Sequence, residues 1–240
     1  MKNSIINNDC LEVMKDIKDK SINMILSDLP YGITSRNSWD SIIPIEKLWE
    51  QYNRIIKENG AVVLTSVQPF TSFLVMSNPK QFKYEWIWEK QQGTGFLNAK
   101  KQPLRNHESI LVFYNKQPTY NPQFTEGTPY SCTSGVGTSN YREQKKVTTI
   151  NNGLRYPKTV LKFKYDKEKL HPTQKPLKLF EYLIKTYTNE HDIVLDNCSG
   201  SCTTALACLN TNRDYICIEK EKEFCEIGLK RINELSICNN

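Results

Sequence analysis

Ile193-Val194-Leu195-Asp196-Asn197-Cys198-Ser199-Gly200-Ser201-Cys202-Thr203-Thr204-Ala205-Leu206-Ala207-Cys208-Leu209 is the stretch that decides the fold. Asp192 to Asp196 reads as a short buried strand. Gly200 is the turn that lets backbone pass close to a ligand, and Thr203 to Leu209 is a helix that opens directly after it. Tyr215 to Ile218 reads as the next strand, and Glu219 at its end lies 19 residues beyond Gly200. Strand, glycine turn, helix, strand and then an acid is the order in which dinucleotide folds hold a ribose, with the acid about 20 residues past the turn. A second glycine is expected at position 202, where Cys202 stands.

The same alternation runs through the chain upstream. Ser4 to Asn7 reads as a strand. Leu11, Val13, Met14 and Ile17 suit an amphipathic helix with Asp9 near its start as an N-cap. Ile22 to Asp28 is a buried strand. Ile45, Leu48, Trp49, Tyr52, Ile55 and Ile56 follow the helical period after Pro44, with Gly60 expected as the C′ residue. Ala61 to Val67 is β-branched and strand-like, and Pro69 to Met76 is helical. Phe82, Tyr84, Trp86 and Trp88 alternate on one strand face and are expected in the core. Ile110 to Tyr114 is a further strand. Pro176 starts a helix with the stripe Leu177, Leu179, Phe180, Leu183 and Ile184, and Phe224, Ile227, Leu229 and Ile232 mark a last one. Strands alternating with helices predict an α/β chain whose mainly parallel, doubly wound sheet carries helices on both faces.

The 240 residues suffice for one large domain or one domain with an insertion. No apolar run approaches the roughly 18 residues of a membrane span. The N-terminus has no long apolar core before Asn7, Asn8 and Asp9, so no secretory signal is expected. Eight cysteines are scattered without a Cys-x-x-Cys pair, which argues for buried, reduced thiols over a disulfide frame or a zinc site. From Asn115 prolines, glycines and polar residues break every period, and Tyr120, Phe124, Tyr130, Tyr141 and Tyr156 are interspersed. Residues 115–170 hold ten Lys and Arg against four acids, and 10 − 4 accounts for the whole net charge of +6. A loop-rich basic insertion on a neutral body reads as a contact surface for a polyanion, most often nucleic acid, with Lys145 and Lys146 among its candidates.

In an open α/β sheet, ligands bind beyond the carboxyl ends of the strands. Three such ends carry notable residues: Asp9, then Asp28-Leu29-Pro30-Tyr31, then Asp196 to Thr203. The tetrapeptide offers a carboxylate, a carbonyl ahead of a proline and an aromatic face, which together can hold a planar base with an exocyclic amine. With His171-Pro172-Thr173-Gln174-Lys175-Pro176 and the glycine turn, these motifs resemble the amino-directed DNA methyltransferases of the β arrangement, in which the catalytic motif precedes the cofactor loop. Asp28-Leu29-Pro30-Tyr31 matches the Asp-Pro-Pro-Tyr motif of that family in three of four positions. Asn98 to Glu108 resembles the substrate-side loop of phage-type adenine methylases, which brings in Arg105 and His107 as DNA-side candidates.

The resemblance implies a Rossmann-like methyltransferase fold, with residues 1–114 as the catalytic half, 115–170 as a target-recognition insertion and 171–240 as the cofactor-binding half. It implies S-adenosylmethionine as cofactor, double-stranded DNA as substrate, and transfer to adenine N6. Asp28 and the Leu29 carbonyl are then expected to accept the amine's N–H groups, with Pro30 setting the turn and Tyr31 stacking on a flipped base. Glu219 would hold the ribose and Asp9 the cofactor's adenine amine. Thr173 and Lys175 would border the methionine moiety, while Asp196, Gly200 and Thr203 shape the loop. His171 is expected to be a structural hydrogen-bonder. Cys202 in place of glycine is expected to crowd the methionine end. Cytosine N4 methylation, RNA or protein amide methylation, and non-catalytic DNA binding are the alternatives. A cytoplasmic, nucleoid-associated enzyme is expected, without membrane contact. A homodimer and a cognate restriction nuclease are both compatible with this reading.

Overall fold

The computed structural model describes residues 1–32, 42–133, 137–139, 142–144, 146–166 and 174–238. They fall into two compact units, 1–121 with 159–240, and 122–158. The second is narrower than the expected insertion 115–170, because the segments flanking it pack with the first unit.

In the first unit β1 (Ser4–Asn7) leads into α1 (Cys10–Lys15). Asp9 caps this helix, its Oδ1 accepting the backbone N–H groups of Leu11 at 2.9 Å and Glu12 at 3.4 Å. There follow β2 (Ile22–Ser27), α2 (Ile45–Ile55), β3 (Ile56–Ser66), α3 (Phe70–Ser77), β4 (Phe82–Thr94) and β5 (Arg105–Phe113). Six short strands belong to the second unit: β6 (Thr125–Glu126), β7 (Tyr130–Thr133), β8 (Gly137–Ser139), β9 (Arg142–Gln144), β10 (Thr148–Asn151) and β11 (Leu154–Arg155). The chain returns through β12 (Val160–Lys162), α4 (Leu177–Tyr187), β13 (Ile193–Asp196), α5 (Thr203–Leu209), β14 (Asp214–Glu219) and α6 (Lys222–Cys238).

Eight strands form one sheet in the order β1-β14-β13-β2-β3-β5-β4-β12. All neighbours are parallel except β5, which is antiparallel to both β3 and β4. The period-2 alternation of a twice-covered strand is visible in β2. Ile25 packs with Met14, Leu48, Tyr52 and Leu74 of α1, α2 and α3. Its neighbours Met24 and Leu26 pack on the opposite face with Leu179, Leu183 and Ala205 of α4 and α5. Trp86 and Trp88 are buried in this second core and Tyr84 packs against it, as their alternation predicted, but Phe82 packs on the first core because the register shifts between Phe82 and Tyr84.

Gly60 is a correction. The helix ends at Ile55 with extended Ile56 as its cap, and Gly60 lies inside β3. The register there jumps from Ile22 opposite Ile56 to Met24 opposite Ala61, so β3 bulges. A Cβ at Gly60 would stand 2.8 Å from the Asn23 carbonyl oxygen. Close backbone approach, and not a helix end, is what requires the glycine. The strand expected at Ile110 likewise starts earlier, at Arg105, because pairing with β4 extends it.

The second unit consists of three two-stranded antiparallel pairs, β7 with β10, β6 with β11, and β8 with β9. Arg155 organises part of it. Its guanidinium lies 4.8 Å from the Tyr130 ring centroid and donates to Asn151 Oδ1 and the Thr128 carbonyl. Phe124 and Tyr156 pack ring to ring at 4.8 Å.

Candidate active site

The sheet order brings the two halves of the chain together at the β13–β2 pair, and beyond the carboxyl ends of these strands lies a cleft of about 480 Å³. Asp9 follows β1, Asp28 to Tyr31 follow β2, Asp196 to Gly200 follow β13, and Glu219 ends β14; all line this one cavity. Thr203, Lys175, Arg105 and His107 line it too. Of the other sequence-expected residues, Lys146 is exposed in the second unit. Lys145, Thr173 and His171 lie outside the described residues.

Asp28 is heavily solvated by protein. Its Oδ1 accepts the Tyr31 hydroxyl at 2.5 Å and the Thr65 hydroxyl of β3, and its Oδ2 accepts the Lys175 ammonium at 2.6 Å. Tyr31 rests against Phe70, centroid to centroid 5.2 Å. Burial, reinforced by the Asp28 charge, pushes the Tyr31 phenol well above its usual range, so it remains a donor. The Lys175 ammonium is buried on Asp28, in the wall of the cleft where the resemblance sets it beside the methionine moiety. Burial alone would lower its pKa, but Asp28, Tyr31 and Glu108 hold it well above the ordinary lysine value. Glu108 of β5 pairs through Oε1 with Lys90 of β4 at 2.6 Å, and its Oε2 lies 3.4 Å from Lys175.

At the end of the neighbouring strand β13, Asp196 is buried. It accepts the Ser27 hydroxyl at 2.9 Å, the Cys198 N–H at 3.1 Å and the Thr204 hydroxyl. It thereby ties the ends of β2 and β13 to the start of α5. Burial raises its carboxyl to about 7, against the pull of those three bonds. Glu219 Oε2 accepts the Gly200 N–H at 2.7 Å and Oε1 accepts the Glu221 N–H at 2.9 Å. The Lys220 backbone N–H also acts on this carboxyl, and of its roughly four acceptor sites capacity remains for a further donor, the requirement for a ribose ligand. Asp9 both caps α1 and lines the cleft.

The expected obstruction by Cys202 is not found. Its backbone is left-handed, at φ +59°, and the residue is fully buried. Its side chain packs at Gly228 of α6, where an added Cβ would meet the Cys202 Sγ at 2.4 Å, and it does not line the cleft. The missing glycine thus leaves the cavity open. Thr203 Oγ1, for its part, accepts from Arg231 at 3.2 Å.

Three neighbours of the candidate site residues escaped the sequence reading. Thr65, Lys90 and Tyr52 sit in strand or helix patterns that mark them only as half-polar core. Tyr52 donates to Asn197 Oδ1 at 2.5 Å, and the Asn197 amide reaches both Cys10 at 3.7 Å and Cys198 at 3.4 Å. Only the strand register, which sets β3 beside β5 and β5 beside β4, would have pointed to Thr65 and to the strand that carries Lys90. Among the described residues no three His, Cys, Asp or Glu side chains cluster as a metal site. No helix among them is long and apolar enough to cross a membrane.

Known proteins bear on this geometry. The type II methyltransferase M2.MboI of Moraxella bovis is 28% identical over 258 residues, covering 97% of this chain and 88% of its own. The DNA adenine methyltransferase YhdJ of Escherichia coli K12 is 26% identical, covering 97% and 83%. The crystal structure of the M1.HpyAVI–SAM complex superimposes with a TM-score of 0.65 at 25% identity, covering 95% and 98%. The family model described as DNA methylase, of the N6/N4 type, matches residues 22–230. The chain whose strand ends gather Asp28 and Gly200 around one cleft therefore belongs to the N6/N4 DNA methylase family.

Proposed function

We propose that this protein transfers the methyl group of S-adenosylmethionine to the N6 amine of adenine within a specific sequence of double-stranded DNA. The observation that carries the reading is the shared cleft. Asp28, with the Leu29 carbonyl beside it, lines the same cavity as the Gly200 turn and Glu219. The residues fit the cofactor, since Glu219 keeps acceptor capacity for ribose hydroxyls and Cys202 is turned away. Arg105 and His107 line the DNA side of the cleft in this reading, and Lys146 of the second unit is a phosphate contact.

When bound, the cofactor supplies an electrophilic methyl on a sulfonium. The protein's task is orientation. An adenine amine is a poor nucleophile because its lone pair is delocalised into the ring. Asp28 and the Leu29 carbonyl each accept one of its N–H groups, which frees the lone pair for in-line attack. The nitrogen would gain positive charge as the new N–C bond forms and the methyl–sulfur bond breaks, its electron pair going to the departing thioether, and the Asp28 carboxylate stabilises that charge. The N–H proton is lost to water after transfer, so no general base acts before it. Tyr31 supports the base on one face, offsetting part of the few kcal/mol that flipping costs.

Adenine is favoured by the aspartate at position 28 and by the name of YhdJ. A type II designation, as M2.MboI carries, extends the proposal to a nuclease counterpart of the same specificity. The test is methylation of unmodified DNA with labelled cofactor, followed by digestion to nucleosides. N6-methyladenine is expected with the wild type and none with Asp28→Ala. N4-methylcytosine as the sole product would replace the base assignment, and transfer by Asp28→Ala near the wild-type rate would remove Asp28 from its role.

A further inference from the structure

The amine acceptor proposed above is already occupied. Asp28 Oδ1 takes two hydroxyls and Oδ2 takes the Lys175 ammonium at 2.6 Å. An ammonium at that position opposes the reaction twice. It competes for the oxygen that must accept the substrate N–H, and it places a positive charge beside a nitrogen that becomes positive during transfer. The same ammonium has a second carboxylate in reach. Glu108 Oε2 lies 3.4 Å from Lys175 Nζ, and among the described residues it accepts no hydrogen bond, although Glu108 is buried. A buried acceptor without a hydrogen bond is costly, and a native fold retains one for a reason. Glu108 Oε1 is meanwhile fixed by Lys90 at 2.6 Å, so the carboxylate is held in place with Oε2 turned toward Lys175. The side chains of Lys90, Glu108 and Lys175 are 8%, 10% and 7% exposed, so water does not screen the choice between the two partners.

We propose that Lys175 is handed from Asp28 to Glu108 when the target amine enters, making Glu108 and Lys175 positioning residues for methyl transfer. In the free protein the ammonium neutralises the half-buried Asp28 carboxylate. In the loaded protein a shift of about 0.6 Å brings the 3.4 Å separation to an ordinary hydrogen-bond distance, fills Glu108 Oε2 and leaves the Asp28 charge to the amine. Neither carboxylate is left without a partner at either end of the exchange. The hand-over rests on the reading of Asp28 as the amine acceptor.

Single-turnover methylation of unmodified DNA with labelled S-adenosylmethionine tests it in the full chain. Glu108→Gln keeps the shape but weakens the receiving site, and it should slow transfer by roughly ten- to a hundred-fold while DNA affinity stays unchanged. Glu108→Asp keeps the charge beside Lys90, withdraws it from Lys175, and should also slow transfer; it serves if the glutamine variant fails to fold. The decisive readout is the coupling. In a Lys175→Met background the ammonium is gone, and the Glu108 substitutions should cause no further loss. An equal loss in both backgrounds, or wild-type rates for both Glu108 variants while Asp28→Asn is inactive, would overturn the hand-over and leave the Asp28 reading standing. Wild-type transfer by Asp28→Asn would remove that reading and the hand-over with it.

Discussion

In the proposed role Asp28 holds an amine in one orientation, and a carboxylate with that task has to be held itself; Asp28 is clamped on Oδ1 by Tyr31 and Thr65. Tyr31→Phe keeps the ring that faces the base and removes one clamp. It should slow single-turnover transfer about tenfold, the weight of one charge-assisted hydrogen bond of roughly 1.5 kcal/mol. Tyr31→Ala should lose more, since support of the base goes as well; equal rates for the two variants would mean that the ring contributes nothing. Asp196 has a different duty, which is to stitch strand ends together. Its carboxyl sits at about 7 in the folded chain against an ordinary 3.8, because burial favours the neutral form. A folded pKa above the unfolded one stabilises fully below the unfolded value and is lost as pH rises through the folded value. The Asp196 contribution is therefore complete below pH 3.8 and falls away toward about 7. Asp196→Asn should lose this dependence. Thermal midpoints of the two proteins should converge, or the variant overtake, as pH climbs from about 4 to about 8. A gap between them that stays constant over that range would show that Asp196 does not titrate there.

At the scale of elements, the departure from the expected glycine turn is accommodated by α6. Cys202 takes a left-handed conformation that costs a non-glycine residue roughly 1 kcal/mol, and it places its Sγ where Gly228 offers no side chain. The two positions are therefore coupled. Gly228→Ala should destabilise the chain by roughly 1–3 kcal/mol in urea unfolding, because its Cβ would overlap the sulfur. Adding Cys202→Gly should recover stability, since glycine suits φ +59° and removes the clashing atoms. If the double variant is no more stable than Gly228→Ala alone, the two residues do not share this space. This contact also shows where sequence reading ends. The turn, its helix and Glu219 were legible because their spacing is local. The direction of the Cys202 side chain was not, because it depends on a helix that arrives after β14. Gly60 failed for a related reason. Its position after a helical stripe suggested a cap, but pairing with β2 drew it into a bulge. The strand ends carrying Asp28 and Gly200 could be forecast to meet because parallel α/β sheets gather ligands at one end. Thr65 and Lys90, and the pairing of Glu108 with Lys90, required the arrangement of β3, β5 and β4, which periodicity does not provide.

For the molecule as a whole, the useful electrostatic fact is that residues 115–170 carry the entire net charge of +6, ten bases against four acids. Not all of those bases are available to a polyanion. Lys116 pairs with Glu58 at 2.5 Å and Lys162 with Glu89 at 3.1 Å, while Arg155 is committed to Asn151, Thr128 and Tyr130. Exposed surface pairs are weak and open readily, but the Arg155 arrangement holds the second unit together, so its loss would be read as unfolding and not as lost binding. Lys145 and Lys146 are the better test of a DNA surface, adjacent in sequence and with Lys146 exposed. Each lysine that neutralises a phosphate releases counterions, and log Kobs falls with log salt by roughly 0.9 per contact on duplex DNA. Replacing both by Gln should weaken binding to cognate and unrelated duplexes alike and make the salt slope shallower by roughly 1.8. The pattern of methylated sites should stay the same, because phosphate contacts position the protein without reading sequence. Filter-binding titrations across a salt series measure the slope, and sequencing of methylated DNA measures the pattern. An unchanged slope would move the phosphate contacts to other basic residues. A changed pattern at unchanged slope would instead make these lysines readers of base edges.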